Sequence, residues 1–127
     1  MKIYGIGTDI VKVNRIKRLI SKKRFKEKIF SKYEILRCEK KINKHNCYAK
    51  RFAAKEAFSK ALGTGIAGGV NFNEINVLNE KNGKPFIKVS KETKKKMENK
   101  LKKKIYKILL SLSDEDNYAV AFVTITI

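Results

Sequence analysis

The stretch Cys47 to Gly63, "CYAKRFAAKEAFSKALG", is rich in residues that lose little entropy in a helix, and it ends on a glycine suited to the C' position. It predicts one long helix from about Cys47 to Leu62. Ala49, Ala53 and Ala57 recur at four-residue spacing and form a small-residue stripe that suits close packing. On another face Phe52, Glu56 and Lys60 recur at the same spacing, so that Glu56 and Lys60 are placed for an i,i+4 pair worth about 0.3 kcal/mol.

Upstream, Lys2 to Val13 alternates as a strand. Ile3, Gly5, Gly7, Asp9 and Val11 fall on one face, Tyr4, Ile6, Thr8 and Ile10 on the other. Asp9 thus shares its face with two residues that lack side chains, which predicts room beside the carboxylate for a bulky ligand. Asn14 is the expected N-cap of a helix from Arg15, with Ile16, Leu19 and Ile20 turned inward. Ser31 and Glu34 make a capping box flanked by the hydrophobic staple Phe30 and Ile35, so a second helix starts there and fades near Ile42; "NKHN" is a turn. Downstream, Ile75 and Val77 mark a strand, Asn82-Gly83 a hairpin turn, and Pro85 the entry to the strand "FIKV". Ser90 caps a basic helix whose apolar stripe is Thr93, Met97, Leu101 and Ile105. "YKILLSLS" and "YAVAFVTITI", joined by Asp114 to Asn117, read as an antiparallel hairpin. A strand, a block of helices, two short strands, a helix and a hairpin predict an α+β fold with a mainly antiparallel sheet packed against helices.

The 127 residues suit a single domain, 1–127, since domains commonly run to about 100 to 200 residues. No apolar run approaches the ~20 residues of a membrane-spanning helix. Met1 to Ile10 has no apolar segment or cleavage site of a leader, so it reads as mature sequence and a cytoplasmic location is expected. Cys38 and Cys47 match no zinc spacing and read as reduced structural thiols, and His45 reads as a solvated loop residue. The net charge of +19 attracts nucleic acid, anionic membrane or an acidic protein. Lysine here travels with asparagine and isoleucine, as AT-biased coding also produces.

The string Gly63 to Gly68 matches GxGxxG but follows a helix and precedes a strand, the reverse of a dinucleotide fingerprint, and no GK[ST] makes it a P-loop. Two separated carboxylates, Asp9 and Glu56, with Lys60 one turn further on, suit Mg²⁺ bound beside phosphates, because that ion takes few protein carboxylates and fills its shell with water and substrate oxygens.

Together "GIGTDIV", "NRI", "RFAAKEAFSKALGTGI", "NGKP" and "SLS...YAVAFV" resemble, in order and over nearly the whole chain, the holo-acyl-carrier-protein synthases, short bacterial 4'-phosphopantetheinyl transferases. The resemblance implies the 4'-phosphopantetheinyl transferase fold. It also implies transfer of phosphopantetheine from coenzyme A to a serine of an apo acyl carrier protein, releasing adenosine 3',5'-bisphosphate, as a step of fatty acid biosynthesis. Asp9 and Glu56 match the family's Mg²⁺ positions, and Lys60 its lysine near the coenzyme A phosphates. Arg51, Ser59, Gly63 and Gly65 lie in the matching block as coenzyme A contacts, with Gly83, Lys84 and Pro85 near the nucleotide end. The base that takes the serine proton is open between a metal-bound water and Glu56, the water ranked first because a carboxylate bound to Mg²⁺ is a poor base. The helix after the first strand would dock the acidic carrier through Arg15, Arg18, Lys22, Lys23, Arg24 and Lys28.

Family members are usually trimers with the coenzyme A site between subunits. Two positions depart from the pattern: Asp114 stands where many relatives carry a histidine, and Lys12 where many are acidic. A basic nucleic-acid-binding module is the rival reading, carried by "KETKKKMENKLKKKI". No recognition motif or interleaved aromatic platform accompanies that run.

Overall fold

A helix made of small residues can lie directly on a strand if the strand offers no side chains at the crossing, and this contact organises the molecule. The computed structural model of the chain describes residues 1–64 and 70–127. Strand β1 (Ile3–Lys12) leads into helices α1 (Val13–Ile20), α2 (Lys23–Ile29), α3 (Lys32–Glu39) and α4 (Lys44–Leu62). A 3₁₀ turn (Phe72–Glu74), strands β2 (Ile75–Asn79) and β3 (Pro85–Val89), helix α5 (Lys91–Leu101) and strands β4 (Lys107–Glu115) and β5 (Tyr118–Thr126) follow. The strands form an antiparallel sheet in the order β1-β5-β4 and a separate antiparallel pair β2-β3. The fold is α+β, as the layout predicts.

Helix α4 lies across β1 and β5, with Ala49, Ala53 and Ala57 wholly buried. A Cβ on Gly5 would lie 1.9 Å from the Ala61 carbonyl oxygen, and one on Gly7 1.9 Å from that of Ala57. These glycines admit the helix backbone and leave no room for a ligand, which overturns the expectation drawn from the sequence. Gly7 and Val11 point inward as expected, but a register shift between Ile3 and Gly5 turns Ile3 out to solvent. At its far end α4 closes on Gly63, whose φ of 83° permits the αL cap, with its N–H donating to Ser59 O at 2.9 Å.

Several local expectations change. Asn14 caps nothing: β1 runs straight into α1, and the Val13 N–H donates to the Asn117 carbonyl at 2.9 Å, so the β4–β5 turn takes over that part of the cap. The basic segment is two helices, not one, broken at Ser21 and Lys22. The capping box is complete, Glu34 N–H donating to Ser31 Oγ at 3.2 Å and Ser31 N–H to Glu34 Oε1 at 3.0 Å, but α3 ends at Glu39, short of Ile42. Helix α4 starts three residues early, so His45 belongs to its first turn and is half-buried. The last turn of α3 faces the start of α4, with the Cα atoms of Cys38 and Cys47 5.5 Å apart, and the two form a disulfide where free thiols were expected.

Helix α5 buries Thr93, Met97 and Leu101 and is capped by Ser90. The chain leaves the helix at Lys102, with φ 56°, so Ile105 falls outside the stripe and is exposed. The β4–β5 hairpin turns on Asp116 and Asn117 alone, and the β2–β3 turn places Gly83 at φ 92°. The outer face of the three-stranded sheet exposes Ile6, Ile10, Leu109 and Phe122.

Candidate functional site

The close crossing of α4 over β1 sets Ala57 against Gly7 and thereby brings Glu56 beside Asp9. Asp9 sits in mid-strand opposite Ala121, its side chain 18% exposed, and Glu56 is half-buried. Burial, and next the Asp9 charge, hold Glu56 above the usual carboxylate range, while Lys60 and Arg15 pull it the other way. Lys60 Nζ donates to Thr8 O at 2.9 Å and to Asp9 Oδ1 at 3.3 Å, so its direct ion pair is with Asp9 and not with Glu56 as the helical spacing suggests.

Two carboxylates backed by one ammonium form a hard, oxygen-only donor set. Among the described residues no third histidine, cysteine or carboxylate joins them in a metal-sized cluster. That set fits Mg²⁺, whose octahedron is completed by water and phosphate oxygens rather than by a protein cage. The aromatic rings of Phe25, Phe52 and Phe72 pack in series one turn before Glu56, and the Arg15 guanidinium lies 5.9 Å from the Phe52 centroid.

A second group of cations gathers between α3, α4 and β2. Arg51, 4% exposed, donates through Nη1 to Cys47 O at 3.3 Å and Sγ at 3.2 Å, and through Nη2 to Asn79 Oδ1 at 2.9 Å, while its Nε has no partner. Burial lowers its pKa. Arg37, Lys41 and Lys50 join Arg51 around a cavity of 170 Å³. Asp114 stands at its margin, paired with Lys50 at 3.3 Å and accepting from Asn46 at 2.9 Å, so this departure from the family pattern braces the first turns of α4.

Of the other expected contact residues, Gly83 and Lys84 are exposed on the β2–β3 turn and Pro85 is half-buried at its edge. Gly63 is exposed at the end of α4, Ser59 is buried with its Oγ unpartnered, and Gly65 lies outside the described residues. Arg15 and Arg18 on α1, Lys22 before α2, and Lys23, Arg24 and Lys28 on it are all exposed. A wider cleft of 730 Å³, apolar and edged by Phe30, Ile35 and Leu36, holds none of these groups.

Sequence reasoning missed Asn79 and the buried pair Lys55–Glu34, 2.8 Å apart, in which Lys55 also donates to the carbonyls of Phe72 and Ile75. Partners so distant in the chain leave no periodic signal. Arg37 and Lys41, four apart, were visible as a pair but not as neighbours of Arg51.

The sequence profile of the 4'-phosphopantetheinyl transferase superfamily matches residues 5–123. A holo-(acyl-carrier-protein) synthase of Pelagibacter ubique is 47% identical over 123 residues, spanning 97% of this chain and 96% of the relative. Among solved structures, that of the synthase from Neisseria meningitidis has a TM-score of 0.89 at 41% identity, covering 98% of this chain and 99% of its own. The synthase from Bacillus anthracis, solved in complex with CoA (3',5'-ADP), has a TM-score of 0.80 at 36% identity, covering 99% and 98%. Matched from end to end, in sequence and in architecture, this chain belongs to the 4'-phosphopantetheinyl transferase superfamily and, within it, to the holo-(acyl-carrier-protein) synthases.

Proposed function

We propose that the chain transfers 4'-phosphopantetheine from coenzyme A to a serine hydroxyl of an apo acyl carrier protein, as a cytoplasmic step of fatty acid biosynthesis. The serine Oγ forms a bond to the β-phosphorus of coenzyme A, the one carrying the pantetheine. The bond from that phosphorus to the bridging oxygen breaks, and adenosine 3',5'-bisphosphate leaves. The observation that carries this reading is the convergence of Asp9, Glu56 and Lys60, from two distant segments, where α4 crosses β1.

Asp9 and Glu56 would hold Mg²⁺, which when bound supplies Lewis-acid stabilisation of charge on the attacked phosphate and the leaving group. Lys60, released from Asp9 as the anionic substrate enters, steadies the transferring phosphoryl group as a point charge. With Glu56 holding the cation, the serine proton would pass to solvent water. Arg51, with its spare Nε, and the turn Gly83 to Pro85 receive the nucleotide end of coenzyme A. The relative from Bacillus anthracis carries that ligand.

The exposed basic residues of α1 and α2 receive the acidic carrier. We assign the exposed apolar face of the β1-β5-β4 sheet to contact with further copies of the chain in a homotrimer. Light scattering should return three chain masses, and a monomer at assay concentrations would contradict that assignment. For the reaction itself, release of adenosine 3',5'-bisphosphate is followed with and without a chelator. Release that needs a carrier and divalent cation supports the reading; release indifferent to chelation removes Asp9 and Glu56 from the metal role.

A further inference from the structure

The Arg51 guanidinium is buried, makes no ion pair among the described residues, and keeps one donor without a partner. What fixes it on the side of β2 is a single residue. Asn79 occupies the last rung of the β2–β3 ladder, opposite Pro85; its Oδ1 accepts from Arg51 Nη2 at 2.9 Å and its Nδ2 donates to the Gly83 carbonyl at 3.0 Å. Guanidinium has no acceptor, so the amide oxygen must face Arg51 and the amide nitrogen is left to face the turn. A carboxamide of this length does both. A carboxylate at this position would accept from Arg51 but not donate, and an apolar side chain would do neither. The two bonds run head to tail through one conjugated amide, so each polarises the other.

The turn so held is itself closed by Glu80 N–H to Lys84 O and Gly83 N–H to Glu80 O, each at 2.9 Å, and by Lys84 N–H to Asn82 Oδ1 at 3.0 Å. Two hydrogen bonds from one side chain therefore join the buried cation to the exposed turn, although 28 residues separate Arg51 from Asn79.

We propose that Asn79 is a positioning residue for coenzyme A, clamping Arg51 and the Gly83 turn together so that the basic pocket is set to receive the 3'-phosphate at the nucleotide end. This rests on the function proposed above, and the test separates the two. Asn79→Leu removes both bonds, and Asn79→Asp, of the same size, removes the bond to Gly83 and neutralises Arg51; should the first fail to fold, the second carries the test.

In ligand-free protein, amide hydrogen exchange at Gly83 and Lys84 should quicken in either variant. With coenzyme A, KM should rise about tenfold while kcat stays within about twofold, as expected for loss of a hydrogen bond to a charged group in binding. With dephospho-coenzyme A, which lacks the 3'-phosphate, KM should match that of wild type. Unchanged exchange overturns the clamp. An unchanged KM, or an equal rise with both substrates, overturns the assignment to the 3'-phosphate, and a parallel fall in kcat for both reduces Asn79 to a structural role. If wild type transfers nothing from coenzyme A, the proposed function fails, while the exchange data still decide whether the clamp exists.

Discussion

Glu56 is held above the usual carboxylate range by burial first and by Asp9 second. A carboxyl group with a raised folded pKa contributes stability that is full below its unfolded pKa and is lost as pH rises through the folded value. Burial and the Asp9 charge therefore both disfavour the ionised form of Glu56 in the metal-free protein. Glu56→Gln should raise its melting midpoint by a few degrees and abolish transfer, and Mg²⁺ should stabilise wild type but not the variant. A lowered midpoint in the variant would contradict that penalty. The glycines of β1 make a second claim at this scale. Gly7→Ala should cost about 3 kcal/mol in denaturant unfolding, since the new Cβ meets backbone and not a side chain that can turn away. Alternation in the sequence put Asp9 on the right face. The same pattern was silent on what lies over that face, because an absent side chain serves an empty cleft and a close helix equally well.

Among elements, buried ions tie the helices to the strands. Glu34 takes the amides of Ser31 and Val77 as well as the Lys55 ammonium, and both side chains are wholly buried. Burial pulls Lys55 down to about 8, with Glu34 pulling upward. Lys55→Met would strand the carboxylate and should cost about 3 to 5 kcal/mol by denaturant titration. A change below about 1 kcal/mol would show that solvent reaches the pair. Glu39 joins α2, α3 and α4 by accepting from Tyr48 Oη at 2.6 Å, Lys26 at 3.0 Å and Lys44 at 3.3 Å. Those bonds, Tyr48 foremost, pull its carboxyl down to about 2. A depressed carboxyl contributes stability above its unfolded pKa and loses it as pH falls toward the folded one, so Glu39→Gln should flatten the acid limb between the ordinary 4.5 and about 2. An unaltered limb would assign acid unfolding to other groups. The capping box at Ser31 was legible because its partners are three residues apart. The same Glu34 seated on Lys55, and the Asn117 carbonyl that takes the place of an Asn14 cap, depend on tertiary contacts that no local window contains.

Across the whole molecule the +19 charge was legible from composition, but its placement was not. It is spread over a basic surface on α1 and α2, a basic pocket under Arg51, and the exposed lysines of α5 and the residues that follow it. If the first receives an acidic carrier, Arg15→Glu with Arg24→Glu should slow transfer at low salt and lose most of the salt dependence seen in wild type. Equal salt responses would remove that surface from the account. The exposed apolar sheet face could not be foreseen from β5 alone, since which side is covered depends on α4. The central claim is that Asp9 and Glu56 serve one transfer reaction. It is tested most directly by the intact mass of an apo acyl carrier protein after incubation with the chain, coenzyme A and Mg²⁺. The carrier should gain one phosphopantetheine with wild type, and the rate should fall at least about a hundredfold with Asp9→Ala or after chelation. An unmodified carrier, or a gain that survives both Asp9→Ala and chelation, would contradict it.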